Sequence, residues 1–260
     1  MGSQSIQSKL WGQRPKEWAT LLEPTGKEGY EHVLRFLRPQ ASNKILDIGC
    51  GSGYFANLAA QTGAQVTGLD ATAQLIEEGK LRNPSVKFLI GDMEELPFVD
   101  ASFDIVCGFN SFQFAANTKN ALSEAKRVLI PGGKLVVMIW GDKKDCEAVS
   151  YLKALGSLQP PAAPGTPGPF ALSENNLLEN ILTEMDFDIV NQADVDSIWS
   201  YPDVETAVRG LLSTGPAAKA IEAAGHKKVH ETIVEAMRPY ITDQGQVVCK
   251  NKFRVVISEK

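Results

Sequence analysis

Between residues 44 and 140, short and nearly continuous apolar runs alternate with segments whose apolar residues recur every three or four positions. The runs at 44–48, 65–70, 86–91, 103–109 and 134–140 are apolar enough to be covered on both faces, as the central strands of a parallel sheet are. The segments between them predict helices. One follows a glycine-rich turn at 54–61 and a second, at 72–81, opens with Thr72 as a cap. A third, at 120–129, ends at Pro131-Gly132-Gly133, a sharp stop before the next strand. Strands and helices in this order imply βαβ units and an α/β fold.

The flanks follow other rules. Residues 15–37 predict one or two helices in which Leu34, Phe36 and Leu37 are apolar among charged neighbours, ended by Arg38-Pro39. Segment 159–170 carries Pro160, Pro161, Pro164, Pro167 and Pro169 and reads as a loop. A capped helix at 173–185 and a strand at 187–199 come next. Segment 203–240 is helical with breaks at Gly215-Pro216 and Gly225, and a hairpin around Gly245 leads into a last strand at 253–257. The implied division is an N-terminal helical cap (1–40), a core (41–200), a helical lid insertion (201–243) and a final strand of the core sheet (244–260).

Composition narrows the class. With 43% hydrophobic and 22% charged residues over 260 positions, the chain can bury a substantial core and is neither disordered nor fibrous. Its net charge of -5 supplies no global basic field for nucleic-acid phosphates. Cys50, Cys107, Cys146 and Cys249 are widely spaced without a C-x-x-C pair, which reads as reduced thiols. The polar start resembles no signal peptide, and the apolar run at 135–140 is far too short to span a bilayer. These features lead us to expect a cytoplasmic protein without nucleic-acid or membrane partners, either a monomer or a homodimer.

The candidate chemistry begins where the first strand ends. Gly49, Gly51 and Gly53 form a turn in which backbone can approach a ligand closely, because glycine lacks Cβ and tolerates positive φ. A dinucleotide site is a competing reading, since 51–56 satisfies G-x-G-x-x-A and Asp70 lies near the spacing of a ribose-binding acid. Asp47 favours another ligand. A carboxylate just before the turn repels a pyrophosphate but attracts a molecule carrying an ammonium and a sulfonium. No Tyr-x-x-x-Lys pair is present either.

Four motifs in order, at 45–53 (Ile45-Leu46-Asp47-Ile48-Gly49-Cys50-Gly51-Ser52-Gly53), 66–70 (Val66-Thr67-Gly68-Leu69-Asp70), 91–98 (Gly91-Asp92-Met93-Glu94-Glu95-Leu96-Pro97-Phe98) and 129–133 (Leu129-Ile130-Pro131-Gly132-Gly133), carry a resemblance. The chain resembles the class I S-adenosylmethionine-dependent methyltransferases, of the type 11 and ubiquinone/menaquinone-methyltransferase-like group. The resemblance implies a Rossmann-like, doubly wound, mostly parallel seven-stranded sheet, with an N-terminal helical segment and a helical insertion before the last strand. It implies S-adenosylmethionine as cofactor, with Asp47, Gly49, Cys50, Gly51 and Gly53 around its methionine end. Asp70, with Ala71 beside it, would take the ribose hydroxyls and Asp92 the adenine amino group. Met93 would lie beside the ring and Asn110 near the reacting sulfur.

The acceptor is less legible. Trp11, Trp18, Tyr30, Ser111, Phe112 and Trp140 are candidates to bind a small, partly apolar or aromatic molecule, and the helices of 203–240 are candidates for a lid over it. No catalytic base is named by the sequence. His32 is a surface or packing residue, and His226 and His230, spaced i,i+4, read as solvated rather than metal-binding. An RNA methyltransferase, a nicotinamide-dependent oxidoreductase and a non-catalytic cofactor-binding protein stay open as alternatives. Because a hydrogen bond to a charged group contributes roughly 1.5–3 kcal/mol, Asp70→Ala should weaken cofactor binding about 10- to 100-fold. Calorimetry of the folded variant checks this, and unchanged affinity would remove Asp70 from the ribose role.

Overall fold

A computed structural model describes residues 2–161 and 167–260 of the chain. Seven strands run over Lys44–Ile48 (β1), Gln65–Asp70 (β2), Lys87–Ile90 (β3), Phe103–Phe109 (β4), Leu129–Trp140 (β5), Asp188–Tyr201 (β6) and Val247–Glu259 (β7). They form one sheet in the order β3-β2-β1-β4-β5-β7-β6. The first five pair in parallel, while β7 lies antiparallel to both β5 and β6. This is the mostly parallel, doubly wound sheet expected. Chain order reverses between β1 and β4, so a crevice opens beyond their C-terminal ends.

The period-two pattern of the strands assigns each face. Leu135, Val137 and Ile139 pack with α6 (Thr118–Val128) and α8 (Leu177–Glu184), while Val136 and Met138 pack with α3 (Lys27–Leu37), α4 (Tyr54–Ala60) and α5 (Ala73–Arg82). Between β6 and β7 lie α9 (Val204–Leu211), α10 (Gly215–Ala224) and α11 (His226–Met237). Together with α7 (Val149–Ser157), a helix the sequence pattern did not announce, they enclose a third apolar cluster with Trp199, Tyr201 and Cys249.

Several local expectations change. The Pro131-Gly132-Gly133 stop is a bulge within β5: Leu129 already pairs with Phe103 before the register shifts. Thr72 precedes α5 but its side chain caps nothing, and its amide instead donates to Asp70. The Ser173 hydroxyl donates back to the Phe170 carbonyl, so the expected cap is spent and α8 starts only at Leu177. The proline-rich loop is neither helix nor strand at Pro160, Pro161, Pro167 and Pro169, while Pro164 lies outside the described residues. No helix among the described residues is long and apolar enough to cross a membrane.

The N-terminal segment departs most from the pattern. An additional helix, α1 (Gln4–Trp11), precedes α2 (Pro15–Glu17), a π turn over Trp18–Leu22 and a 3-10 turn over Glu23–Gly26. Pro24 explains the break, since its ring would collide with the carbonyl four residues back in an α-helix. The Glu23 amide reaches the Trp18 carbonyl, five residues earlier. In the central sheet Leu135 is fully buried, so Leu135→Ala should destabilise the protein by about 2–5 kcal/mol. Denaturant unfolding monitored by circular dichroism would measure it.

Candidate cofactor site

The glycine turn is held open by its own backbone. Gly49, Gly51 and Gly53 have φ of 69°, 55° and 72°, the left-handed region where a side chain is strained. Space is equally restrictive. A Cβ on Gly49 would collide with Ser111, and one on Gly53 would stand 2.6 Å from the Phe88 ring. The amides of Gly49 and Cys50 donate to the Leu69 carbonyl, at 2.7 and 3.1 Å, locking the turn to the end of β2.

Two expected carboxylates converge here. Asp47 shares the face of β1 that carries Ile45, lies between Gly68 and Cys107 on the adjacent strands and is only 2% exposed. Its Oδ1 has no hydrogen-bond partner. Asp70 ends β2 and accepts the Gly51 amide at 2.9 Å on one oxygen and the Thr72 amide at 2.8 Å on the other. A third carboxylate, Glu23 of the N-terminal segment, accepts the Ser52 amide at 2.9 Å.

Burial pushes the Asp47 carboxyl well above the usual aspartate range, and the charges of Glu23 and Asp70 add to the effect. Burial also raises Glu23 despite the Arg82 guanidinium, and raises Asp70 despite the amides of Thr72 and Gly51. The Cys50 thiol beside them is pushed up by burial and by the same three carboxylates.

Further along the crevice, Gly49, Asp70, Ala71, Asp92 and Met93 line a cavity of about 20 Å³ closed by Ser3 and Gln7 of α1. That volume is roughly one water's worth. The Ser3 amide donates to Glu94 and the Gln7 side chain to the Phe114 carbonyl, both at 3.2 Å. The cavity is far smaller than a nucleoside. Asn110, just past β4, takes a left-handed φ of 50° and leaves its Oδ1 buried without a partner, as is Ser111 Oγ beside it.

The aromatic candidates separate into three groups. Trp11 packs edge-on against Trp18 and Phe114, with centroids 4.9 and 5.2 Å apart, and the Trp18 indole nitrogen sits unpaired against Gly51. Tyr30 is a core residue between Phe55 and Phe109. Trp140 packs with Phe170, Trp199 and Phe253. Phe112 is fully buried against Gly108, whereas Trp18 and Ser111 lie against the turn, Trp11 packs on Trp18, and the Tyr30 hydroxyl donates to the Glu23 carbonyl at 3.5 Å. The histidines face elsewhere: His32 meets Asn191, His226 meets Arg14 and His230 meets Glu205.

Comparison with known proteins bears on the same stretch. Residues 46–137, about a third of the chain, match the methyltransferase domain family. This match supports a class I S-adenosylmethionine-dependent methyltransferase domain over that segment. S-adenosylmethionine is the cofactor of that family. The chain is similar to malonyl-[acyl-carrier protein] O-methyltransferase of Erwinia pyrifoliae, 35% identical over 41% of this chain and 40% of that protein. It is also similar to demethylmenaquinone methyltransferase of Renibacterium salmoninarum, 39% identical over 36% of this chain and 40% of that protein. The chain thus spans about two fifths of the length of the curated relatives it matches.

Its fold is like that of the YcgJ protein from Bacillus subtilis, with a TM-score of 0.60, 19% identity and coverage of 90% of this chain and 98% of that one. It also resembles geranyl diphosphate methyltransferase, solved in complex with SAM, with a TM-score of 0.51, 16% identity and coverage of 89% and 84%.

Sequence reasoning missed Glu23, Arg82, Ser3 and Gln7. No local pattern marks any of the four, because each acts through contacts distant in the chain. The raised Asp47 carboxyl binds its proton more tightly in the folded chain, so stability is greatest below the ordinary aspartate range. It is lost as pH rises through the folded value. Asp47→Asn should therefore stabilise the ligand-free protein at neutral pH and flatten this pH dependence, as thermal unfolding across pH 4–9 would show.

Proposed function

We propose that the protein transfers a methyl group from S-adenosylmethionine to a small, partly apolar or aromatic acceptor. The observation that carries the reading is Asp47 Oδ1, a buried, unpartnered carboxylate oxygen beside a turn of three left-handed glycines. An anion in that position is best compensated by a cationic ligand. When bound, S-adenosylmethionine supplies an electrophilic methyl on a sulfonium, open to in-line displacement.

Asp47, Cys50 and the glycine backbone are assigned to its methionine end. Asp70 keeps lone pairs free beyond its two amide bonds, which suits the ribose hydroxyls, with Ala71 alongside. Asp92 is assigned to the adenine amino group and Met93 to the ring face. Asn110, whose Oδ1 is unpaired, is assigned to the floor near the reacting sulfur, and Ser111, whose Oγ is unpaired, to the acceptor side.

The acceptor assignment is supported by Trp11, Trp18 and Phe114, which form an aromatic wall over the turn, with Trp11 in turn packed against Gly215 of the insertion. Such a wall orients a flat or hydrocarbon acceptor and excludes water, the two requirements of a displacement that needs no obligatory base. Tyr30, Phe112 and Trp140 pack with other partners and are assigned to the core behind the site. The two named relatives act on unlike acceptors, so their likeness bears on the donor side. A net charge of -5 disfavours an RNA acceptor.

The test is a panel of phenols, amines, thiols and quinone-like carbon acids incubated with labelled S-adenosylmethionine. Labelled product and S-adenosylhomocysteine should appear for an aromatic member of the panel, and Trp18→Ala should lower its kcat/KM at least about tenfold. Cofactor binding without product from any acceptor would favour a non-catalytic role.

A further inference from the structure

No motif of the core contains the third carboxylate at the turn. Glu23 is 4% exposed at its side chain and comes from a segment 29 positions before Ser52. Its Oε1 accepts the Ser52 amide at 2.9 Å and the Tyr54 amide at 3.4 Å, and its Oε2 accepts the Ser52 hydroxyl. Arg82, the last residue of α5, closes the arrangement. Its Nη1 donates to Glu23 Oε2 at 2.5 Å and to the Ser52 carbonyl at 2.9 Å, while Nη2 donates to the Ala19 carbonyl at 2.8 Å. The same guanidinium lies over the Tyr54 ring.

Consecutive amides of the turn are thus pinned between two carboxylates. Asp70 takes the Gly51 N–H and Glu23 takes the Ser52 N–H. A Cβ on Gly51 would stand 2.9 Å from Glu23 Oε1 and 3.0 Å from the Trp18 indole nitrogen, so the N-terminal segment is seated directly on the turn's middle glycine. Losing Glu23 would leave the Ser52 and Tyr54 amides without these acceptors, next to the Gly51 amide that Asp70 holds.

We propose that Glu23 is a positioning residue of the donor site: it holds Gly51-Ser52-Gly53 in the shape that receives S-adenosylmethionine and makes that shape conditional on docking of the N-terminal segment. This rests on the methyl-donor reading above. Ion-paired to Arg82 and hydrogen-bonded to the turn, Glu23 acts through backbone it holds rather than through the ligand. The segment that carries it also carries Trp18 and continues from the helix that closes the donor cavity.

The experiment compares wild type, Glu23→Ala, Glu23→Gln and Arg82→Lys by calorimetric titration with S-adenosylmethionine, well below each unfolding midpoint. Amide exchange at Ser52 and Tyr54 is measured without ligand. Glu23→Gln keeps an acceptor for the amides but not the charge facing Arg82, and Arg82→Lys keeps the charge but not the three-way fan. We expect Glu23→Ala to weaken binding at least about tenfold and to speed exchange of both amides at least about tenfold, with Glu23→Gln about threefold weaker. Arg82→Lys should also bind more weakly than wild type.

Should Glu23→Ala fail to fold, Glu23→Gln and Arg82→Lys decide the matter. Lowered unfolding midpoints with unchanged affinity in those variants would make Glu23 a merely structural residue and overturn the proposal alone. A wild-type protein that binds no S-adenosylmethionine overturns the donor reading and this proposal with it.

Discussion

A carboxylate held in a sheet interior without a partner is stable only if it takes up a proton or acquires a cation, because desolvation of the bare charge costs several kcal/mol. Asp47 stands under that constraint, on a strand face otherwise given to hydrocarbon. Glu23 and Asp70 sit close enough to make it worse, and Arg82 pairs with Glu23 rather than with Asp47. The turn is therefore short of positive charge by design of its sequence. Its chemistry follows from that shortage: a ligand that brings cationic groups relieves it, and an anionic ligand does not.

The rest of the crevice makes the charged turn a shaped one. Three left-handed glycines bring backbone against Ser111, Glu23 and Phe88 without side chains in between. The sheet supplies rigidity, since β1 is paired on both sides and the Leu69 carbonyl of β2 takes two amides of the turn. What lies above it is of another kind: short helices, a π turn and a 3-10 turn resting on a few polar contacts. The floor is built by the core, and the cover is built by the N-terminal segment.

This difference also explains what the sequence discloses. The βαβ alternation and the glycine turn are local in the chain, so five core strands and the placement of Asp47 and Asp70 can be read from periodicity and spacing. Glu23 cannot, because its value lies in contacts 29 and 59 positions away. Aromatic type is a poor guide for a similar reason. Tyr30, Phe112 and Trp140 have the composition of a binding wall, yet neighbouring glycines and rings draw them into the core. Thr72 and Ser173 look like caps until other acceptors occupy them. The short helix α1 carries few apolar residues, buries none of them fully and leaves Ile6 exposed, so no apolar stripe announces it in the sequence.

The π turn at Trp18–Leu22 makes chain length a determinant in its own right. A π turn holds one more residue than an α-helical turn of the same span. Each residue of an α-helix advances the chain by about 100° around its axis. Removing that residue between Trp18 and Glu23 would restore α geometry and leave the phase of what precedes it nearly unchanged, whereas one further insertion, continued in α geometry, would turn Trp18 away from the glycine turn by about that angle. The segment tolerates a shorter chain better than a longer one, so spacing in this stretch is as much a part of the site as any residue in it.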